Sequence, residues 1–410
     1  VILPEPKDTD VVQLAALSAV GWAEGLSFRQ EDGDYITVML LAAGLARIRD
    51  DRRRMDAGEY LTRTSADQGL LPVPWRSGMT RLWWRFRTAG EIPPQNDLKL
   101  FELCRKPFSE WPIRLRLSVA DIEQSLLDGD ELTPMAEQAA RLSVRDVEAE
   151  LIENLVFREL MLVAELNARD EAEVQTHYCE LRRLLIDNPI LSEAQVRRLT
   201  GRFPKCGGNG QPVLQRFIQA AYVHRAAPGR VKIAVCDRCG NPTQQGVDGC
   251  GTVGCSGHPA DLVIESVGGY YVQHRATRRF FHDPGLVEAR VLDRLAEIST
   301  EGTIRVEEWP GLDAYDIRVS FLSGLDVIEV WGADAKDQVS PGLLGLGFSW
   351  RPDPPCDRRF LVLPKHRADQ PGYVADLTAE LQGRASDVSV VSEDAFVASV
   401  VARAEEVTGR

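Results

Sequence analysis

Four hundred and ten residues are too many for one hydrophobic core, so two or three domains are expected. The chain is 44% apolar and 27% charged, an ordinary globular composition, and no apolar run reads as a membrane span or signal peptide, which makes the cytoplasm the expected address. A net charge of -13 argues against a protein that coats nucleic acid non-specifically, but leaves room for local basic patches.

Residues 1–228 read as a helical region of one or two subdomains. Apolar residues recur at three- and four-residue spacing over Val11–Ala23, Tyr35–Ile48, Val144–Asn167 and Glu171–Leu185. The third stretch, with Leu151, Ile152, Leu155, Val156, Leu160 and Leu162, is apolar around much of its circumference and is expected at the centre of a bundle. Leu70–Gly90 holds no acidic residue, and its Arg76, Arg81, Arg85 and Arg87 interleave with Trp75, Trp83 and Trp84. Arg76, Arg81 and Arg85 are therefore candidates for binding nucleic acid. Tryptophans turned into a core beside solvated arginines explain the pattern equally well. A helix over Ser192–Thr200 opens on a capping serine, and Gly207–Gln211 is a loop.

Residues 229–260 lack apolar periodicity. Cys236-x2-Cys239 followed by Cys250-x4-Cys255 has the spacing of a tetrahedral thiolate cage, so a structural zinc ribbon is expected. Gly240-Asn241-Pro242 supplies turn residues, and a metal would supply stability that so small a segment cannot bury. His258 is a substitute ligand for Cys255. Four sulfur ligands leave no open position, which assigns the cluster to structure rather than catalysis. Cys104, Cys179, Cys206 and Cys356 are scattered, and disulfides are not expected.

Residues 261–410 turn to a mixed pattern, expected as an α/β domain. Arg275, Arg278 and Arg279 form a second basic patch. His274 and His282 flank it and could touch phosphate, though polar surface is the simpler reading. Asp283-Pro284 opens a helix running to about Ile298. Strands are expected over Leu262–Val272, Ile304–Trp309, Tyr315–Phe321, Val327–Ala333, Phe360–Leu363 and Val388–Val391, and helices over Val374–Leu381 and Glu393–Glu406.

Three of these elements carry a constellation. Asp316, Arg318 and Ser320 share one strand face, and Asp334 and Lys336 project together from the next strand. Glu288 lies on the apolar stripe of its helix with Val291, Leu292 and Leu295, where a carboxylate needs a partner. An Asp, then Asp-x-Lys, is the wiring of a metal-dependent nuclease. Asp316 and Asp334 would bind Mg²⁺ through hard oxygens, and the Ala335 carbonyl could add a ligand. Lys336 would orient the attacking water or neutralise phosphate charge, and Glu288 would complete the metal's surroundings. The pattern is short, and a hairpin with ordinary surface charges satisfies it too. Asp313 and Asp326 read as turn residues.

The stretch Tyr270–Leu381 resembles the restriction-endonuclease-like protein encoded beside bacterial PIWI-RE proteins, on RATRRFFHDPGLVEARVLDRL, EEWPGLDAYDIRVSF and ADAKDQVSPGLL. The resemblance implies a PD-(D/E)xK nuclease fold with Glu288, Asp316, Asp334 and Lys336 on its catalytic positions. It also implies a PIWI-RE protein and a DinG-type helicase as partners in defence against plasmids or phage, with DNA as substrate and RNA left open. Trp331-Gly332 departs from the β-branched run expected of such a strand; the glycine would admit a substrate backbone or weaken the strand. The expectation is thus a multidomain chain with a helical N-terminal region, a zinc ribbon and a C-terminal restriction-endonuclease-like domain using Mg²⁺. A catalytically inactive nuclease-fold adaptor is the alternative. A zinc-ribbon transcription regulator ranks third, because no strongly basic recognition helix is present.

Overall fold

The structure is a computed structural model, and it describes residues 33–56, 58, 71–143, 147–208, 210–227, 229–243, 250, 252, 254–299 and 302–408. The helix expected over Val11–Ala23 lies outside the described residues. Helices α1 (Gly33–Asp56), α2 (Val73–Ala89), α3 (Asp97–Cys104), α4 (Pro134–Ser143), α5 (Val147–Asn167) and α6 (Glu171–Asp187) lead into strand β1 (Ile190–Ser192) and helices α7 (Glu193–Arg202) and α8 (Val213–Ala221). Strands β2 (Tyr222–Ala226), β3 (Gly229–Cys236), β4 (Pro259–Ser266) and β5 (Gly269–Gln273) precede helix α9 (Asp283–Ser299). Then come β6 (Ile304–Glu308), β7 (Ile317–Ser323), β8 (Asp326–Ala335), α10 (Pro341–Gly347), β9 (Arg358–Leu363), α11 (Tyr373–Gln382), β10 (Val388–Ser392) and α12 (Glu393–Thr408).

These elements fall into two compact units that interleave along the chain. One comprises Val1–Asp146, Gln338–Ser349 and Asp369–Ser386; the other comprises Val147–Asp337, Trp350–Ala368 and Asp387–Arg410. The division therefore does not follow the expected boundaries at 228 and 260. The physical reason is a shared core. Val156 and Leu160 of α5, Tyr178 and Leu181 of α6 and Phe217 of α8 are buried in one cluster with Val291 and Leu292 of α9 and Ile317 and Val319 of β7. Strand β4 itself runs across residue 260.

In the first unit, α1 and α2 pack at backbone contact. A Cβ on Gly44 would lie 2.5 Å from Trp75, and one on Gly78 would lie 2.9 Å from Leu41, so only glycine allows the crossing. The approach buries Trp75, Leu82 and Phe86 against Val38, Leu41 and Leu45, with Met135 and Ala139 of α4 and Leu343 and Leu346 of α10 in the same core. The buried Asp121 carboxylate accepts from the Tyr35 hydroxyl at 2.6 Å, the Ser340 hydroxyl at 2.8 Å and the Gly342 amide at 3.3 Å, tying the start of α10 to α1.

The second unit is organised by a five-stranded sheet of order β10-β9-β8-β7-β6. β6, β7 and β8 run antiparallel, whereas β9 and β10 add in parallel. One sheet face, with Ile317, Val319, Phe321, Trp331, Ala333, Phe360 and Val362, shares the core with α9 and with Phe396, Val397 and Val400 of α12. The α-β-β-β order and the later strand and helices match the sequence expectation to within a few residues. A smaller antiparallel sheet, β1-β5-β2, and a two-stranded hairpin, β3–β4, complete the unit.

Candidate active site and metal centre

The two aspartates are brought together by strand register. Ala333 of β8 pairs with Ile317 of β7, so Asp334 and Asp316, each one residue further along, meet at the same end of the ladder. Lys336 continues β8, its amide donating to the Val362 carbonyl at 2.9 Å. Its Nζ lies 2.6 Å from Asp334 Oδ1 and 3.8 Å from Asp316 Oδ2, so one ammonium bridges both carboxylates. Exposure is graded: the side chain of Asp316 is 5% exposed, that of Asp334 14% and that of Lys336 33%. Asp316 forms the floor, where it accepts from the Ala335 amide at 2.6 Å, and Lys336 stands at the mouth.

The electrostatics follow from this crowding. Burial, then the Glu288 carboxylate, push the Asp316 acid well above the usual carboxylate range, against the pull of Lys336. Burial draws the Lys336 ammonium down, but Asp316 and Asp334 outweigh it and hold its pKa above the usual lysine value. A divalent cation on the two aspartates would relieve the repulsion at Asp316, so this pair of hard oxygen donors fits Mg²⁺.

Glu288 is buried on α9 as its spacing predicts, but its partners are protein groups. The Trp309 indole N–H donates to Oε2 at 2.7 Å, and Arg182 Nη2 of α6 lies 3.3 Å from Oε2 and 3.4 Å from Oε1. The Arg182 guanidinium sits 5.4 Å from the Phe281 ring and 5.7 Å from the Trp309 ring, with Asp313 at 4.0 Å. Among the described residues, the only cluster of three or more His, Cys, Asp or Glu with ligand atoms mutually within 4.8 Å is that of the cysteines. Glu288 therefore does not join the aspartates as a third close ligand.

Trp309 reaches Glu288 because the turn before β7 is left-handed. Trp309, Gly311, Leu312 and Asp313 have φ of 43°, 63°, 57° and 76°. Gln175 of α6 clamps this turn, donating to the Trp309 carbonyl at 2.8 Å and accepting from the Leu312 amide at 3.1 Å. Each non-glycine residue held there costs roughly 1–3 kcal/mol, which the surrounding packing must offset. Asp313 is thus a turn residue, as expected, and also a neighbour of Arg182.

Cys236, Cys239, Cys250 and Cys255 converge at the end of the β3–β4 hairpin, with all four sulfurs within 4.8 Å of one another. Cys236 and Cys255 are 3.6 Å apart, and Cys239 and Cys250 are 3.4 Å apart. A tetrahedral ion with sulfur at about 2.3 Å needs edges of about 3.8 Å, so the cluster could hold zinc with little adjustment. Burial raises the Cys236 thiol, but the amides of Cys239 and Arg238 outweigh it and bring it down to about 7, favouring thiolate. His258 is not in the cluster; its amide donates to Asp237. The cluster is anchored within its unit. Asn241 Nδ2 donates to Asp283 at 3.0 Å, and Gly254 lies against the His366 ring.

The remaining candidates disperse. Trp75 is core, as the second reading of that patch has it, whereas Trp83 and Trp84 are 40% and 62% exposed. Arg85 pairs with Asp34 at 2.8 Å, Arg81 donates to Thr37 and the Gly33 carbonyl, and Arg76 is exposed. Arg275 is exposed, but Arg278 lies 3.4 Å from Asp283 and Arg279 stacks on Phe280 at 5.8 Å. His282 is not polar surface: it is fully buried, with Nδ1 2.6 Å from the Ile186 carbonyl. His274 caps a short helix, accepting from the Ala276 amide. Arg182, Trp309 and Gln175 were not anticipated, and no local motif announces them.

Residues 285–408 match the family model described as REase associating with pPIWI_RE. That stretch is under a third of the chain and contains Glu288, Asp316, Asp334 and Lys336. No curated protein and no solved structure matches the chain. No described helix is long and apolar enough to cross a membrane.

Proposed function

We propose, from a C-terminal region that is restriction-endonuclease-like and linked to pPIWI_RE systems, that this chain is a metal-dependent nuclease cutting the DNA of invading elements inside a defence complex. The observation that carries the reading is the single ammonium of Lys336 shared by Asp334 and Asp316 at one end of the sheet. In this reading Asp316 and Asp334 hold Mg²⁺, which when bound supplies Lewis acidity toward the scissile phosphate. Lys336, kept protonated by the two carboxylates, acts as a donor and positive charge and not as a base. It swings from the aspartates to a phosphate oxygen or the attacking water. Glu288, held by Trp309 and Arg182, contributes negative field behind Asp316 and favours a cation there. The four cysteines hold a structural zinc. A PIWI-RE protein is the partner and, by resemblance, so is a DinG-type helicase, all in the cytoplasm.

The test is cleavage of plasmid DNA with Mg²⁺, by the chain alone and with its PIWI-RE partner. Asp334→Ala should abolish cutting and leave the melting curve in place, and Lys336→Ala should slow it by about 10²-fold or more while metal still binds. Equal cutting by wild type and Asp334→Ala overturns the reading. The engagement of both Glu288 oxygens by protein groups favours the inactive adaptor as the second reading. Partner binding with no cleavage under any divalent cation would select it.

A further inference from the structure

A second candidate site lies in the first unit, on residues that nuclease chemistry does not use. Helix α2 has four arginines and no acidic residue, and it presents two adjacent tryptophans to solvent. Large aromatic surface is ordinarily buried, as Trp75 of the same helix is. Beside Trp84 opens a cavity of about 640 Å³ whose lining includes Asp34, Thr37, Arg81, Arg85 and Arg116. Its charge is unbalanced. Asp34 is buried and already accepts from Arg85 Nη2 and the Arg116 amide, each at 2.8 Å. Among the described residues Arg81 hydrogen-bonds to neutral groups, the Thr37 hydroxyl at 3.2 Å and the Gly33 carbonyl at 3.1 Å, with Asp34 acting on it through charge. Arg116 is exposed, and its guanidinium pairs with no described carboxylate.

Among the described residues, three guanidinium groups against one carboxylate, around a solvent-facing indole, suit a ligand with a flat aromatic face and adjoining anionic groups. A nucleotide has both. The volume falls within the roughly 300–1,000 Å³ of small-molecule sites, enough for one nucleotide. In a duplex both faces of a base are covered by its neighbours, so only an unpaired base can lie on Trp84. Arg81 and Arg85 are already fixed by hydrogen bonds, which reduces the ordering cost of gripping phosphate. We propose that this cavity seats an unpaired nucleotide of a single-stranded nucleic acid, its base stacked on Trp84 and its phosphates on Arg81, Arg85 and Arg116. The proposal is independent of the nuclease reading.

The test uses the full chain without added Mg²⁺ and an oligonucleotide of about 10 residues, as DNA and as RNA, single-stranded or annealed to its complement. Anisotropy reports binding, and tryptophan fluorescence reports stacking. The single strand of at least one sugar should bind more tightly than its duplex and quench fluorescence. Trp84→Ala should weaken that binding about tenfold and remove most of the quench, and Trp84→Phe should recover part of the affinity. Arg116→Glu should weaken binding and lower its salt dependence, and Lys106→Glu, an exposed position outside the cavity lining, should leave the quench intact. Failure of wild type to bind either single strand, duplex bound as tightly as single strand, or full quench in Trp84→Ala overturns the proposal. A partner peptide that competes while Trp84→Ala still binds the single strand would also overturn it, assigning the face to protein docking. Cleavage by the Asp334→Ala variant bears only on the nuclease reading, so the two can fail separately.

Discussion

At Asp316, burial and the Glu288 carboxylate both disfavour the ionised acid. A carboxyl whose pKa is higher folded than unfolded binds protons more readily in the fold. Its stabilisation is complete below the ordinary carboxylate range, about 4, and is lost as pH rises through the raised value. Asp316→Asn removes that loss and keeps an oxygen for the Ala335 amide. Its urea midpoint at neutral pH should equal or exceed that of wild type, with the gap closing near about pH 4; a lower midpoint at neutral pH would contradict this. Arg182 and Glu288 make the opposite case, a buried pair in which each charge needs the other. Arg182→Met or Glu288→Gln alone should cost about 3–5 kcal/mol, and the double variant clearly less than their sum. Additive losses in urea titrations would show that the pair is not coupled. The Glu288 position was legible from its spacing to Val291, Leu292 and Leu295, but Arg182 was not, because 106 residues separate the two. Gly332 was misleading for a similar reason. A Cβ there would lie 2.8 Å from Trp350 and 2.9 Å from Cys356, so the glycine serves packing within the protein and not approach of a substrate.

Periodicity made much of the C-terminal region legible, since Ile317, Val319 and Phe321 of β7 recur at every second position and face the core, whereas β8 is less regular, with a register shift between Val327 and Glu329. The left-handed turn at Trp309–Asp313 was not legible, because three of its four positive-φ residues are not glycine and are held there by tertiary contacts such as Gln175. The β3–β4 hairpin was half legible. Cysteine spacing announced the cage, but the alternation of β3 is weak because most of its residues are partly exposed. Such an element has little apolar burial to hold it, so a metal on the four cysteines would supply much of its stability. Purified protein should contain about one zinc per chain. Chelation or Cys236→Ser should open the hairpin to protease before the sheet unfolds, and should loosen the start of α9 through Asn241 and Asp283. Proteolysis unchanged by chelation would remove the structural role of the metal.

At the scale of the molecule, the stretch that carries the candidate catalytic residues is not a detachable module. Residues 285–408 lack α5, α6 and α8, whose side chains share the core of α9 and β7, and they lack Arg182. They also include α10, whose Leu343 and Leu346 are buried among α1, α2 and α4. Each of those leucines would expose apolar surface worth about 1.5–3 kcal/mol if the N-terminal helices were removed. Expression of 285–408, or of 147–410, should therefore give insoluble or non-cooperatively unfolding protein, whereas the full chain should give soluble protein with a sharp transition. A soluble, cooperatively folded 285–408 fragment would refute this. The interleaving also sets an order of events on the ribosome. Chains ordinarily fold domain by domain as they emerge. Here the first unit awaits a segment ending at Ser386, and the second awaits β10 and α12 after it. A chain interrupted before Ser386 leaves both units open at once. Synthesis interrupted before Ser386 would thus yield neither unit complete and no assembled candidate active site, which would suit a protein whose proposed activity endangers DNA.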